Sequence, residues 1–160
     1  MISVVIILIL VFIIAPFSLL FHEIGHLVGA SLMRATSIQL TIGLGKTLWQ
    51  TTFANIRIII RRFFLVNSVT STVRTTPFST REKIVITIMG PSFSAMLTIM
   101  TYIAYHVFVE TEILYLFFLF NLWLVIINMI PFKIKQKQSD GYIVLSLLIK
   151  QIRNKSESKV

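Results

Sequence analysis

Residues 2–33 form an almost unbroken apolar run, and the only ionisable side chains in it are His22, Glu23 and His26. A helix of about 20 residues crosses the hydrocarbon core of a bilayer. This run is long enough to cross and to continue on the far side. Pro16 is expected to kink it just ahead of the three ionisable groups. Such groups inside an apolar helix are costly and usually mark a functional site. The run is too long for a cleaved signal peptide, and no basic residue precedes it.

The rest of the chain agrees with a membrane protein. Of its 160 residues, 56% are hydrophobic, and the mean hydropathy is +0.86. A water-soluble chain of this length could not hide so much apolar surface. One integral membrane domain over 1–160 is the expected organisation, mainly α, with no internal repeat. Transmembrane helices are expected at about 2–33, 84–108 and 113–130. Between the first two, Ile38, Leu40, Ile42 and Leu44 alternate with Gln39, Thr41, Gly43 and Gly45. That period of two, and the Ile, Val and Thr that follow, predict a β-rich segment at about 37–76 lying on the membrane surface. An irregular or re-entrant loop is the competing reading. Residues 141–152 are apolar but short, which fits a re-entrant or interfacial helix. Residues 153–160 are polar and expected to fray.

The formal net charge is +9. Its distribution argues against nucleic acid as a partner. Basic residues cluster between Arg34 and Lys83 and again from Lys133 onward, and none occurs in 1–33 or 84–132. The positive-inside rule puts both clusters on the cytoplasmic side, facing anionic lipid. Glu110 and Glu112 mark the opposite side. The chain is then multi-pass, in the cell membrane, with its chemistry towards the cytoplasm. Cysteine is absent, so there is no disulfide framework and no thiolate metal site.

His22 and His26 are four residues apart, about 40° from each other on one helical face. Two imidazoles so placed can bind one zinc ion, and Glu23 between them can act as general base towards a water. The bland alternative is a pair of histidines at a helix end in interfacial water. A catalytic zinc site needs a third protein ligand. His106 falls at the far end of the second span and reads better as a structural or interfacial residue. Glu82 reads as a solvated partner of Arg81 or Lys83. Asp140 is the only aspartate, and it follows the third span on the same side as the histidines. An Asp-Gly pair is ordinarily a turn or a helix N-cap. The ligand count favours Asp140 as the third ligand.

These elements together resemble the site-2 protease family of intramembrane zinc metalloproteases, peptidase family M50. The His22-Glu23-Ile24-Gly25-His26 motif, Gly90-Pro91 in the second span, and Asn128-Met129-Ile130-Pro131 followed by Asp140-Gly141 occur in the family's order. The basic β-rich interval is similar to the family's membrane-associated β-segment. The resemblance implies one Zn2+ per chain held by His22, His26 and Asp140, with Glu23 as catalytic base. Asn128 would lie near the substrate backbone or shape the bend before the aspartate. The substrate would be a transmembrane segment of a membrane protein or a small peptide, its unwound strand added to the edge of the β-segment. There is no room for a PDZ or CBS domain, so a minimal catalytic core is expected. Two positions depart from the pattern. Ser94 stands where the family often has asparagine, and the spacer from Phe132 to Ser139 is long and basic. It must loop back for Asp140 to reach the metal. The alternatives are a non-proteolytic membrane scaffold or chaperone of the same fold, and a small metal transporter. Intact Glu23 counts against the first, and the lack of a polar ladder across the spans against the second.

Overall fold

The computed structural model describes residues 2–108, 110–135 and 137–157. The first apolar run forms α1 (Ile2–Ile9), a π-helical turn (Leu10–Ile14) and α2 (Ala15–Leu32). Pro16 stands in the first turn of α2. It has no N–H to give to the turn before it, and the π turn lies at that point. Next come α3 (Thr80–Val107) and α4 (Glu112–Met129). Three stretches, Val4–Leu32, Thr80–Val107 and Glu112–Met129, are long and apolar enough to cross a membrane. The second begins four residues earlier than the sequence suggests, because a capping box extends it. Ser79 Oγ accepts from Glu82 N, and Glu82 Oε2 accepts from Ser79 N at 2.7 Å.

Glu82 does not pair with Arg81 or Lys83. Its partner is Arg74, which donates to both carboxylate oxygens at 2.8 and 3.0 Å. Arg74 also donates to the carbonyl of Met33 at the end of α2. The hydrogen bonds to Glu82 hold the guanidinium above its usual value. One fixed cation thus ties the end of α2 to the start of α3.

The β-rich segment is a sheet built from two long strands, β1 (Ser37–Phe53) and β2 (Ile56–Val73). Each strand is used twice. The second half of β1 turns at Ala54 and Asn55 into the first half of β2, from Phe53↔Ile56 to Trp49↔Ile60. The first half of β1 pairs with the end of β2, from Ser37↔Val73 to Ile42↔Ser68. It also lies beside the first half of β2, from Ile38↔Ile56 to Ile42↔Ile60. There the numbers rise together, which is the parallel sense, and Ile38 N donates to Asn55 O at 2.9 Å. Across the sheet the order is therefore 49–53, 56–60, 38–42 and 68–73. Gly43 and Gly45, with φ of 91° and 88°, make the bend in β1. The alternation read from the sequence has a clear target. Ile38 is fully buried with Ala30 and Ala35, and Leu27, Ile56, Phe78 and Ile86 close around them.

α5 (Asp140–Glu157) is longer than the short helix read from the sequence and continues through part of the polar tail. Residues 158–160 of that tail lie outside the described residues. A two-residue ladder, β3 (Lys133–Ile134) with β4 (Lys137–Gln138), precedes α5.

α2 and α3 pack backbone against backbone. A Cβ at Gly25 would collide with the carbonyl oxygen of Met89 and lie 2.9 Å from the Gly90 Cα. Gly29, one turn on, faces Ile86 and Met89 at about 3.0 Å. Small residues one turn apart let two helix backbones meet in this way. Gly25→Leu is expected to force α2 from α3 and to cost about 1–3 kcal/mol as overpacking, read as a lower melting temperature by circular dichroism.

Candidate metal centre

α2 presents His22 and His26 towards α3, which orients both rings. His26 Nδ1 donates to the carbonyl of Ile86 at 3.0 Å. His22 Nδ1 lies 2.9 Å from Ser94 Oγ. Ile86 and Ser94 are eight residues apart on α3, so one helix face holds the back of both imidazoles. With Nδ1 occupied, each ring turns Nε2 to the front, where a metal would be bound. The two Nε2 atoms stand 3.1 Å apart.

Asp140, the first residue of α5, reaches this point. Its Oδ2 is 3.1 Å from His22 Nε2, and its Oδ1 is 3.5 Å from His26 Nε2. The eight-residue spacer does loop back. The β3–β4 ladder folds it onto itself, and Ser139 N donates to Phe132 O at 3.1 Å to close the stem. Ser139 Oγ then donates to Ile130 O at 2.7 Å and accepts from Phe132 N and Tyr142 N. That last bond caps α5. Gly141 packs against the Met129 carbonyl so closely that any Cβ would clash. The chain therefore leaves α4 and re-enters α5 almost at the same place.

The donor set fits a tetrahedral zinc ion. Two nitrogens at about 2.0–2.1 Å from zinc lie roughly 3.3 Å apart at the tetrahedral angle, close to the three separations found. Asp140 Oδ2 is buried and lacks a hydrogen-bond donor, as expected of an oxygen kept for a cation. Gly90 leaves the space in front of the rings open. A Cβ there would collide with His26 Nε2 and lie 2.9 Å from His22 Nε2. Among the described residues, His22, His26 and Asp140 are the group of His and acidic side chains that could hold a metal ion.

A cavity of about 700 Å³ opens on this cluster. Glu23 and Asn128 line it, and so does the end of β2 at Ser68, Val69, Thr70 and Thr72. Thr70 Oγ1 donates to the Glu23 carbonyl at 3.2 Å, which seats the strand beside the motif. The Asn128 amide donates to Leu124 O. His106 is exposed and stacks edge-on with Tyr102 and Tyr105, away from the cluster. Glu110 and Glu112 are exposed and no part of the cluster.

Ser94 was legible only as a departure from a pattern, and its bond to His22 was not. Ser139 was read as spacer. An N-cap serine directly before Asp-Gly was the available signal for it.

An apolar helical chain carrying a His-Glu-x-x-His motif, with a carboxylate brought to the two histidines, has the makings of a membrane metallopeptidase. The sequence of residues 6–111 matches the model of peptidase family M50, and the chain belongs to that family. The family is one of membrane metallopeptidases of the site-2 protease kind. No curated protein matches the chain. Asn128 and Asp140 lie beyond the matched residues.

Ser139→Ala should cost about 1–2 kcal/mol as a lost N-cap and weaken metal binding. Chemical denaturation and chelator competition measure the two effects. Asp140→Ala should lower metal content in purified protein more than Glu110→Ala does, read by atomic emission.

Proposed function

We propose that the protein is an intramembrane zinc metalloprotease that hydrolyses a peptide bond in or near a transmembrane segment of a membrane protein or small peptide. The observation that carries this reading is the meeting of His22, His26 and Asp140 beside Glu23, in a cavity that a strand edge shares.

His22, His26 and Asp140 hold the ion in this reading. A zinc ion bound there supplies Lewis acidity and lowers the pKa of a water. Glu23 takes a proton from the attacking water and returns it to the leaving amine as the peptide C–N bond breaks. Asn128 offers an amide to the substrate backbone near the scissile bond. The end of β2 is the docking edge. It pairs with residues 37–42 on one side, and no other strand pairs with its far side among the described residues. An extended substrate can add there through main-chain hydrogen bonds. A helical substrate hides its carbonyls within its own helix, so it must unwind first. Helix-breaking residues in the substrate ease that step.

The three apolar helices insert in the bilayer with the basic intervals on the cytoplasmic side, by the charge rule. The cavity then faces the cytoplasm and draws water from it. The chain has no cysteine, so single cysteines at Arg57 and Glu112 report this topology. Membrane-impermeant reagent should reach the first only from inside and the second only from outside.

Glu23→Gln should keep zinc and lower cleavage of a reconstituted transmembrane substrate by roughly 10²–10⁴-fold. Wild-type turnover in that variant would falsify the role of Glu23. Zinc bound by the wild type with no cleavage of any membrane substrate would favour a scaffold of the same fold.

A further inference from the structure

Metal ligation through His22 Nε2 requires that Nδ1 carry the ring proton and donate it to Ser94 Oγ. Ser94's own hydroxyl proton then needs an acceptor in a place with no solvent, because Ser94 is 0% exposed. Two other polar side chains are as deeply buried, Ser18 on α2 and Asn121 on α4, both 0% exposed. Ser18 Oγ and Asn121 Oδ1 have no hydrogen-bond partner. The Asn121 amide is oriented, since its Nδ2 donates to Phe117 O at 2.8 Å. Buried polar atoms are rarely left in this condition. The buried threonines of α3 show the contrast. Thr87, Thr98 and Thr101 each donate to a carbonyl of their own helix.

Ring contacts place the three residues on neighbouring turns of α2, α3 and α4. Phe17, next to Ser18, meets Phe117, one turn before Asn121, with centroids 5.7 Å apart. Phe21, next to His22, meets Phe93, next to Ser94, at 5.5 Å. Ser18 is also one turn before His22 on α2. One orphan acceptor, Asn121 Oδ1, and two hydroxyl protons without an assigned acceptor, those of Ser18 and Ser94, therefore stand on neighbouring turns of three packed helices.

We propose that Ser18, Ser94 and Asn121 form a buried site for ordered water, and that this site, through Ser94, fixes the ring proton of His22. The inference rests on the metal-binding reading of His22. A water offers two donors and two acceptors and bonds to about three polar groups when buried. It accepts the hydroxyl protons of Ser94 and Ser18 and donates to Asn121 Oδ1. Ser94 then accepts from His22 Nδ1, and His22 Nε2 keeps its lone pair for the metal. Ser18 and Asn121 are positioning residues that act through Ser94.

The test is a mutant cycle on zinc affinity, measured by chelator competition on the full chain in lipid nanodiscs. The variants are Ser94→Ala, Asn121→Leu and the double, with Thr101→Val as a buried control. Each single change should weaken zinc binding about 10-fold or more, the usual scale for groups that orient a ligand. The double should be no weaker than Ser94→Ala, because Asn121 acts only through Ser94. The visible spectrum of the cobalt-substituted protein should shift in both singles and not in Thr101→Val. Unchanged affinity in Asn121→Leu, or losses that multiply in the double, overturns the proposal. Where Asn121→Leu does not fold, Ser18→Ala takes its place in the cycle. A wild type that takes up no zinc overturns the metal reading and this inference with it. Zinc uptake with multiplying losses overturns this inference alone.

Discussion

The close approach of α2 and α3 is the constraint on which the rest of the site depends. Gly25 lies against the Met89 carbonyl, and Gly90 lies under the two Nε2 atoms. At that separation a backbone carbonyl and a serine hydroxyl of α3 can reach the Nδ1 atoms of α2. A wider gap would leave the imidazoles free to rotate. Two histidines on one helix face are common enough. What suits them to bind one metal ion together is that a second helix holds them from behind.

The Asp140 carboxylate, the proposed third ligand, is delivered differently. It sits at the start of a helix whose cap, Ser139, is tied to the end of α4 by hydrogen bonds to Ile130 and Phe132. The sheet makes the remaining wall. Its start packs on Ala30 near the end of α2 and on Ala35 just beyond it, and its last segment runs past Glu23. The motif is therefore enclosed by groups from α3, α5 and β2, each fixed to α2 by a different contact.

Much of this was legible in the residues. The apolar runs gave the helices to within a few residues, because hydropathy is a local property of the chain. The exceptions were the start of α3, where a capping box at Ser79 and Glu82 extended the helix into the basic loop, and the end of α5, which runs into the polar tail. The alternation at Ile38, Leu40 and Ile42 gave the strand but not the sheet. That β1 pairs with β2 on both sides depends on a bend at Gly43 and Gly45 and on contacts far apart in sequence. His22, Glu23 and His26 were visible as charges where charge is costly. Asp140 followed from counting ligands. The partners of these groups were hidden, because Ser94 and Ser139 are common residue types whose roles come only from what stands opposite them. The pairing of Glu82 with Arg74 was missed for the same reason. The two are eight positions apart, and the nearer cations Arg81 and Lys83 make no ion pair with Glu82.

The β3–β4 ladder has a consequence for how such a chain can vary. Its stem closes at Phe132 and Ser139, so the number of residues beyond the stem does not enter the position of Asp140. The entropy of closing a loop grows only with the logarithm of its length. Spacer length is thus decoupled from the position of the Asp140 carboxylate, and the turn beyond the ladder is a place where the chain can lengthen or shorten without moving it.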